Sequence, residues 1–338
     1  ISNKIILITG AGGTIGTELA NQISDMSPKT IILSDYSEYA LWNITDKITS
    51  KINEANVSSI LLDVRDKHSV DKVFKEEKPD IVLHAAALKH VPICEKHPAD
   101  AMKTNILGTK NVSETAIKYK TKIMVLISTD KAVDPTNFMG ASKRAAEIYI
   151  QNLDKENSIT NFVTVRFGNV LGSTGSVIPL FQKQIKRGGP LKVTHKDTTR
   201  FFMSVKEAVE LVLISLSSSV NKKERGYINV LEMGEPMKID NLAKQLARLS
   251  GLTPGKDIEI IYTGLRTGEK LHEKLFHQDE EKLKTDHPDI LIAKSRKLNF
   301  ADINEILSSM DNSLMQNDEK EALRTLKKLV PEFSVDPK

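Results

Sequence analysis

The first half of the chain alternates short runs of apolar and β-branched residues with longer stretches in which apolar residues recur every three or four positions. The short runs predict buried strands, and the longer stretches predict amphipathic helices. The predicted strands are Lys4–Thr9, Thr30–Ser34, Ser59–Leu62, Ile81–His84, Ile123–Ile127 and Phe162–Val165. Strands that alternate with helices form a parallel sheet, so we predict an α/β fold with a doubly wound parallel sheet.

The pattern changes after Gly168. A Gly/Ser-rich turn over 172–176 precedes a helix that ends near Gly188, and a strand follows at Leu191–Thr194. The stretch 226–250 looks like one more strand and helix that rejoin the sheet. We therefore predict a Rossmann-type domain over 1–168, rejoined by 226–250, and a smaller C-terminal substrate-binding lobe over 169–225 and 251–338.

Composition narrows the functional classes only slightly. The 48 basic and 44 acidic residues leave a net charge of +4, which is typical of an ordinary solvated surface, and we expect no nucleic-acid partner. Cys94 is the single cysteine, so an internal disulfide is excluded and a reducing cytoplasm is expected. His84, His90 and His97 are not spaced as metal ligands on one element, so we expect no metal site.

No apolar run of this sequence reaches the length of a membrane-spanning helix. The chain begins at Ile1 rather than with methionine, so an upstream membrane anchor stays open. We expect a cytoplasmic protein, or one at the cytoplasmic face of a membrane if such an anchor exists.

A glycine-rich turn follows the first predicted strand. Gly10, Gly13 and Gly16 lie between that strand and a helix beginning near Thr14 and Ile15. Glycine lets the backbone turn sharply and approach a pyrophosphate, whose charge meets free N–H groups and the positive end of the helix. A simple turn is the alternative, but the position between strand and helix favours a dinucleotide cradle.

The ends of the next strands carry further candidate cofactor ligands. Asp35 ends the second strand, where a carboxylate accepts hydrogen bonds from ribose hydroxyls and repels a 2′-phosphate, which favours NAD over NADP. A solvated turn aspartate is the alternative. The other residues that we expect along the cofactor are Ser37, Asp63, Val64, Ala85, Ala86, Ala87 and Asn105.

The end of the fifth strand carries the candidate chemistry. Thr129, Asp130 and Lys131 follow it, and Met139 to Lys143 open the next helix. Together with the glycine turn, these sequence segments resemble those of the extended short-chain dehydrogenase/reductase superfamily. In that superfamily a Tyr-x-x-x-Lys pair carries the proton, whereas here Met139 stands at the tyrosine position. The thioether of methionine cannot donate or accept a proton. Either the chain has lost the dehydrogenase activity, or another side chain carries out the proton transfer.

The resemblance narrows to the CapD-like polysaccharide-biosynthesis branch, and within it to the configuration-retaining UDP-N-acetylglucosamine 4,6-dehydratases, which share the methionine. It covers most of the chain up to about residue 275. Thr267 departs from it, because the family usually has proline there. The matching segments are Ala85–Pro92, Ser128–Arg144, Arg166–Pro179, Arg200–Met203 and Gly264–Leu271.

The resemblance implies a reaction in which a hydride leaves C4 of the hexose for NAD, water is lost across C5 and C6, and the hydride returns to C6. Such a reaction needs an acid and a base side by side, and our hypothesis is that Asp130 is the acid and Lys131 the base, with Thr129 against the C4 oxygen. Asp130, or a water held by Thr129, takes the C4 hydroxyl proton. The resemblance implies Lys143 on the nicotinamide ribose. A solvated loop pair is the alternative reading of Asp130 and Lys131.

The resemblance also implies a binding site for the UDP-sugar, in which arginines bind phosphate oxygens and Glu269 accepts hydrogen bonds from the uridine ribose hydroxyls. Single arginines are more often surface residues, which is the alternative. The expected substrate contacts are Asn169, Thr194, Arg200, Arg266 and Glu269, with Val177 and Pro179 at the base and Lys89 and His90 near the cofactor crevice.

Two other functions remain open from the sequence. A nucleotide-sugar C4-epimerase shares the hydride step but lacks the elimination, and epimerases of this scaffold normally keep the tyrosine that Met139 replaces. The absence of this tyrosine is also compatible with a non-catalytic NAD-binding regulator. In this superfamily, helices over 98–118 and 140–154 commonly pair in a dimer, so we expect a homodimer or a higher homo-oligomer.

Overall fold

The computed structural model describes residues 1–53, 56–220, 224–294 and 298–334. Residues 54–55 of the predicted Rossmann-type domain, and residues 221–223, 295–297 and 335–338 of the predicted second lobe, lie outside that range. The strands are β1 (Ile5–Thr9), β2 (Thr30–Asp35), β3 (Val57–Leu61), β4 (Ile81–His84), β5 (Ile123–Thr129), β6 (Asn161–Phe167), β7 (Asn169–Val170), β8 (Leu191–Val193), β9 (Thr199–Arg200), β10 (Phe202–Met203), β11 (Tyr227–Leu231), β12 (Met237–Lys238), β13 (Ile260–Tyr262), β14 (Glu281–Lys284) and β15 (Ile290–Lys294).

Helices connect these strands and close the chain. They are α1 (Thr14–Ser24), α2 (Glu38–Thr49), α3 (Lys67–Glu77), α4 (Val91–Cys94), α5 (Pro98–Met102), α6 (Thr109–Lys118), α7 (Phe138–Glu156), α8 (Val177–Lys186), α9 (Val205–Ser219), α10 (Ile239–Leu249), α11 (Phe300–Met315) and α12 (Glu319–Leu329). A π-helical stretch, Lys103–Gly108, joins α5 to α6, and a 3₁₀ turn, Asp130–Ala132, follows β5.

The predicted doubly wound sheet is confirmed. Nine strands lie in the order β14-β15-β11-β6-β5-β4-β1-β2-β3, and the strands from β11 to β3 are parallel. Side chains alternate across the sheet, so Ile6 and Ile8 pack with α1, α2 and α9 on one face while Leu7 packs with the helices of the other face. The carboxyl ends of β1, β4, β5 and β6 meet at one edge, where such sheets bind ligands.

The smaller lobe has its own apolar core. Phe181 of α8 and Leu191 of β8 pack against Ile239, Ala243 and Ala247 of α10. The sequence prediction had 226–250 rejoining the sheet; the structure pairs β11 with β6, but α10 belongs to the smaller lobe's core. The apolar face of α10 is covered there by α8 and β8, which explains the difference.

The C-terminal segment departs from the predicted boundary. Residues 281–294 were assigned to the smaller lobe, yet β15 pairs antiparallel with β11, and β14 pairs with β15. Helices α11 and α12 then pack on the large domain, where Leu307 and Leu326 share a core with Tyr149 of α7. The apolar residues of these strands and helices complete the sheet edge and cover α7, which sequence order alone does not reveal.

The expected dimer helices are also arranged differently. The stretch 98–118 is divided into α5, the π-helical stretch and α6, and the residues of α7 from Met139 to Asp154 are buried within this one chain. Helices α11 and α12 lie on α7 and share the core that includes Val112 and Ala116 of α6. A dimer through these faces would require the C-terminal helices to move away. In the described part of the chain, no helix combines the length and apolar character needed to cross a bilayer.

Candidate active site

The glycine turn after β1 forms a close-packed cradle. Gly10 has φ +67°, and a Cβ there would lie 2.6 Å from the Ala86 backbone nitrogen. A Cβ on Gly16 would lie 2.1 Å from the Gly10 carbonyl oxygen. Helix α1 begins after Gly13 without a side-chain cap and without an acidic residue in its first turn. Its first N–H groups are therefore available to a diphosphate, and the residues present fit a dinucleotide.

Asp35 lies beside this cradle. Its Oδ2 accepts a hydrogen bond from the Gly12 backbone N–H at 3.0 Å, and its Oδ1 accepts one from the Ser37 backbone N–H at 2.9 Å. These two bonds hold the carboxylate at the end of β2, where it can accept from ribose hydroxyls.

Asp63 has a partner that the sequence analysis missed. Arg65 donates from Nε and Nη2 to the Asp63 carboxylate at 2.9 and 2.6 Å, and its guanidinium lies 5.4 Å from the centre of the Tyr36 ring. Burial alone would raise the pKa of Asp63, but the hydrogen bonds from Arg65 lower it. The Asp-x-Arg spacing was the available signal for this pair.

A cleft of about 600 Å³ runs from the cradle to the smaller lobe. Most of the predicted site residues line it. The predicted residues along the cleft are Gly10, Gly13, Thr14, Ile15, Gly16, Ala85, Ala87, Lys89, His90, Thr129, Lys131, Met139, Lys143, Asn169, Val177, Thr194, Arg200, Arg266 and Glu269.

The other predicted residues lie beside the cleft rather than along it, namely Asp35, Ser37, Asp63, Val64, Ala86, Asn105, Asp130 and Pro179. Asn105 is buried, and its side-chain amide bonds both the N–H and the C=O of Leu88, so it shapes the 85–89 segment instead of reaching a ligand. Pro179 lies two residues after Val177 on α8, and residues two apart on a helix face opposite directions.

Asp130 and Lys131 form a pair at the carboxyl end of β5. Asp130 Oδ1 accepts hydrogen bonds from Thr129 Oγ1 at 3.0 Å and from Lys131 Nζ at 2.9 Å. Lys131 Nζ also donates to Asn169 Oδ1 at 2.9 Å. The Asp130 side chain is fully buried, whereas that of Lys131 is 19% exposed and lines the cleft. The alternative interpretation of Asp130 and Lys131 as a solvated loop pair is therefore wrong.

The second carboxylate oxygen of Asp130 is available for a proton. Oδ2 has no hydrogen-bond partner among the described residues, and a Cβ on Gly168 would lie 3.2 Å from it. A buried carboxylate oxygen without a donor is costly unless it binds a proton or a ligand group. Asp130 Oδ2 can therefore take one further hydrogen bond directly behind the cleft wall.

Lys143 reaches the cleft from α7. Its Nζ donates to the Ile127 carbonyl oxygen at 2.6 Å, and burial lowers its pKa to about 8. His84, held between the hydroxyls of Thr9 and Thr109, has a pKa lowered to about 3 by burial and by the charge of Lys143, so it is neutral. Met139 is buried beside Cys94 and also lines the cleft.

Glu269 organises the smaller-lobe end of the cleft. Its Oε1 accepts from Thr194 Oγ1 at 3.0 Å and from Arg200 Nη2 at 3.2 Å, and its Oε2 accepts from the Arg266 backbone N–H at 3.2 Å. Along the described cleft, six lysine and arginine side chains face two carboxylates, that of Glu269 in the lining and that of the buried Asp130. This excess of cations suits an anionic ligand such as a diphosphate.

The middle of the cleft contains Lys89 and His90. Burial and the nearby charge of Lys131 lower the pKa of Lys89, and burial and the charge of Lys89 lower that of His90. The His90 ring contacts the 171–176 loop, because a Cβ on Gly175 would lie 2.5 Å from its Cε1. In the same loop the Thr174 backbone N–H donates to Thr14 Oγ1 at 3.3 Å, so this loop crosses from the smaller lobe to the cradle.

A buried ion-pair cluster behind β5 was not predicted. It consists of Arg144 and Glu147 of α7, Arg166 of β6 and Glu280. Arg166 donates to Glu147 at 2.7 and 3.0 Å and to Glu280 at 2.7 and 2.9 Å, and Arg144 donates to both glutamates at 3.0–3.1 Å.

The cluster also holds the end of β5 in place. Burial alone would raise the pKa of Glu280, but Arg166 and Arg144 hold it at about 2. Ser128, one residue before Thr129, donates to Glu147 Oε1 at 2.7 Å. The end of β5 is therefore fixed to this cluster as well as to its neighbouring strands.

The parallel sheet, the glycine cradle and the cleft at the strand ends define an α/β fold of the Rossmann type, which solved structures of nucleotide-sugar epimerases and a dehydratase share. Within that class the chain belongs to the polysaccharide biosynthesis protein family, which matches residues 6–295.

Three curated relatives illustrate the range of this family. The chain is 48% identical over 281 residues to the capsular polysaccharide biosynthesis protein CapD of Staphylococcus aureus, which covers 83% of this chain and 46% of CapD. It is 36% identical to a UDP-N-acetylglucosamine 4,6-dehydratase (inverting) of Campylobacter jejuni, over 83% of this chain and 80% of that protein. It is 37% identical to a UDP-glucose 4-epimerase of Rickettsia bellii, over 82% and 79%.

A solved structure shares the architecture. The X-ray structure of Pen from Bacillus thuringiensis superposes with a TM-score of 0.79 at 34% identity, over 87% of this chain and 90% of that one. The chain spans about half the length of CapD, so the similarity concerns one part of that longer protein.

Proposed function

We propose that this chain catalyses the NAD-dependent dehydration of UDP-N-acetylglucosamine to its UDP-4-keto-6-deoxy product, with retention of configuration at C5. One observation carries the proposal: Asp130 and Lys131 are paired at the cleft, close to the position where Met139 replaces the tyrosine of ordinary short-chain dehydrogenases. The relative named as a UDP-N-acetylglucosamine 4,6-dehydratase supports the substrate.

The cofactor and the substrate would share the cleft. NAD, when bound, supplies the acceptor for the C4 hydride and returns that hydride to C6. The cradle from Gly10 to Gly16 would hold its diphosphate, Asp35 its adenosine ribose and Lys143 its nicotinamide ribose. Arg200 and Arg266 would bind the diphosphate of the UDP-sugar, and Glu269 the uridine ribose hydroxyls.

Each proton has a carrier in this arrangement. Thr129 holds the C4 oxygen, and the Asp130 carboxylate takes the C4 hydroxyl proton as the ketone forms. Lys131, as the base, then removes the C5 proton, which the C4 ketone has made acidic, while Asp130 gives its proton to the departing C6 hydroxyl. Water is the only net loss.

Return of the proton accounts for the stereochemistry. When the hydride adds to C6, the Lys131 ammonium returns its proton to C5. Because one fixed amine removes and returns the proton, both events occur on the same face and C5 keeps its configuration. The hydrogen bonds from Lys131 to Asp130 and Asn169 fix that amine.

A C4-epimerase is the second candidate, and the epimerase relative at 37% identity favours it. Epimerisation needs the same hydride acceptor and Thr129, but it needs neither a base for C5 nor an acid for C6. The two activities therefore differ in the product mass. A non-catalytic NAD-binding protein would yield no product at all.

The decisive experiment incubates the purified protein and NAD with UDP-N-acetylglucosamine and with a panel of other UDP-hexoses, followed by mass spectrometry and NMR. We expect loss of one water from UDP-N-acetylglucosamine and an unchanged C5 configuration. An isomer of unchanged mass would identify a C4-epimerase. Unaltered substrate throughout the panel would identify a non-catalytic NAD-binding protein. The opposite configuration at C5 would remove Lys131 as the group that returns the proton.

Variants test the assigned roles. Asp130→Asn and Lys131→Met should each lower turnover by about 10³-fold, because each removes one proton carrier, while NAD stays bound. Lys47→Met, at an exposed position of α2 away from the cleft, is the matched control and should keep full activity. Turnover retained in both cleft variants would reject the assignment. A homodimer and a cytoplasmic location remain predictions.

A further inference from the structure

Hydrogen bonds join the segment that follows Lys131 to the loop that carries the nucleotide-binding residues. Thr136 Oγ1 and Asn137 Nδ2 both donate to the Gly268 carbonyl oxygen, at 2.9 and 2.8 Å. In the opposite direction Lys270 Nζ donates to the Val133 carbonyl oxygen at 2.6 Å. We call these three hydrogen bonds the clasp.

The contact is close as well as hydrogen-bonded. A Cβ on Gly268 would lie 2.6 Å from the Asn137 Cβ and 3.0 Å from the Thr136 carbonyl oxygen, so only glycine allows this approach. Beside the clasp, Asp134 pairs with Lys274 at 3.1 Å and with His277 at 3.0 Å. The two segments are therefore joined by close packing and ion pairs as well as by the three hydrogen bonds of the clasp.

One end of the clasp leads to the catalytic pair. Asn137 caps α7, because its Oδ1 accepts from the Gly140 backbone N–H at 2.8 Å. Gly140 packs on Lys131, since a Cβ there would lie 2.3 Å from the Lys131 carbonyl oxygen. Hydrogen bonds and close packing therefore connect Gly268 through Asn137 and Gly140 to the backbone of Lys131.

The other end leads to the nucleotide-binding residues. Gly268 directly precedes Glu269, which is bonded to Thr194, Arg200 and the Arg266 backbone. A nucleotide that engages Arg266 and Glu269 would restrain this loop, and the clasp would extend the restraint to Lys131.

We propose that the clasp makes nucleotide binding position the catalytic pair, and that Thr136 and Asn137 are positioning residues. The proposal rests on the proposed function for the identity of the nucleotide and the reaction. Binding of the uridine end restrains the loop that carries Arg266 and Glu269. Through the clasp this restraint orients the acid and the base, so binding energy far from the reacting atoms raises the rate of turnover.

Matched variants separate positioning from binding. Thr136→Val removes one donor to Gly268 at nearly constant shape, and Thr136→Ser keeps it. Asn137→Asp keeps the oxygen that caps α7 but replaces the donor with an acceptor facing the carbonyl. We expect Thr136→Val and Asn137→Asp to lower kcat by about 10-fold, with the UDP dissociation constant from calorimetry unchanged and Thr136→Ser close to wild type.

A second measurement is independent of turnover. Hydrogen exchange with and without UDP should show that UDP slows exchange of amides in 264–271 and also in 131–140 of the wild type. In Thr136→Val and Asn137→Asp the slowing should remain in 264–271 and be lost in 131–140. Melting temperatures of the free proteins check that the variants fold.

The outcomes separate this proposal from the proposed function. If UDP protects only 264–271 in the wild type, or if kcat and UDP affinity fall together in every variant, the clasp has no positioning role. If UDP slows exchange in both 264–271 and 131–140 of the wild type but no UDP-hexose loses water, the positioning role of the clasp is supported and the proposed reaction is rejected. If UDP does not bind, both are overturned.

Discussion

Two groups of charged side chains lie on either side of the start of α7, one buried and one lining the partly exposed cleft, and they are balanced differently. In the ion-pair cluster, Arg166 bonds Glu147 and Glu280, and Arg144 bonds the same two glutamates and Glu332, so each of these charges has an opposite partner within the protein. Along the cleft, six basic side chains face two carboxylates, that of Glu269 in the lining and that of the buried Asp130, which pairs with Lys131. Matched charges hold elements of the fold together, whereas the unmatched excess is suited to an anionic ligand.

Neighbouring residues of one helix serve the two groups. Lys143 bonds the Ile127 carbonyl and lines the cleft, while Arg144 bonds Glu147 and Glu280. Successive residues of an α-helix point about 100° apart, so a single turn of α7 can supply both groups. The comparison predicts that substitutions in the cluster act on stability and that substitutions in the cleft act on activity.

The largest effect is expected in the cluster. Arg166→Met removes the cation between Glu147 and Glu280 and leaves buried carboxylates with only Arg144, so we expect a loss of about 3–5 kcal/mol in the free energy of unfolding. Chemical denaturation followed by circular dichroism measures it. Arg324→Met, which breaks an exposed pair with Glu321, is the control and should cost under about 1 kcal/mol. Equal losses in the two variants would refute the distinction.

An intermediate effect is expected at Lys143. Its folded-state pKa of about 8 means that the ammonium loses its proton as pH rises through 8, so kcat/KM should fall above that pH. Lys143→Met should lower kcat/KM by about 10²-fold at pH 7 and abolish this fall. A fall with the same midpoint in the variant would show that another group is responsible.

The same group gives stability the opposite pH dependence. The folded pKa lies below the usual lysine value of 10.5, so between those two pH values the unfolded chain binds more protons than the folded one. The free energy of unfolding should therefore receive a contribution that rises with pH across that window. Lys143→Met should lack this rise in pH-dependent denaturation curves.

The smallest effect is expected at Lys89. It lines the cleft near Lys131 and forms none of the ion pairs seen in the described part of the chain. Lys89→Met should raise KM by about 10-fold through loss of one charged hydrogen bond to the substrate, with kcat nearly unchanged. Steady-state kinetics with the UDP-sugar measures both constants. A loss confined to kcat would instead place Lys89 in the proton chemistry.

Local sequence patterns were sufficient for the sheet and for much of the cleft. Strand periodicity, the glycine turn and the residues at strand ends are short-range signals, and the parallel fold brings strand ends to one edge without further information. Thr129, Lys131, Asn169 and Lys143 are therefore found along one cleft.

Contacts between distant parts of the chain were not predictable in this way. Arg166 meets Glu280 across 114 positions, and Asn137 meets Gly268 across 131. Each residue alone resembles a surface charge or a loop amide, so no local pattern distinguishes it. The same limit explains why Asn105, chosen as a cofactor contact, instead holds the backbone of Leu88.

The C-terminal helices show that a region of family similarity and a folding unit can have different limits. The family match ends at residue 295, but Leu307, Met310 and Leu326 lie in the same apolar core as Tyr149 of α7. Glu332, still further along, receives a hydrogen bond from Arg144 at 3.0 Å. Relatives that diverge beyond this limit must therefore cover the outer side of their equivalent helix by some other means, and comparing how they do so would show how one catalytic core accepts different flanking segments.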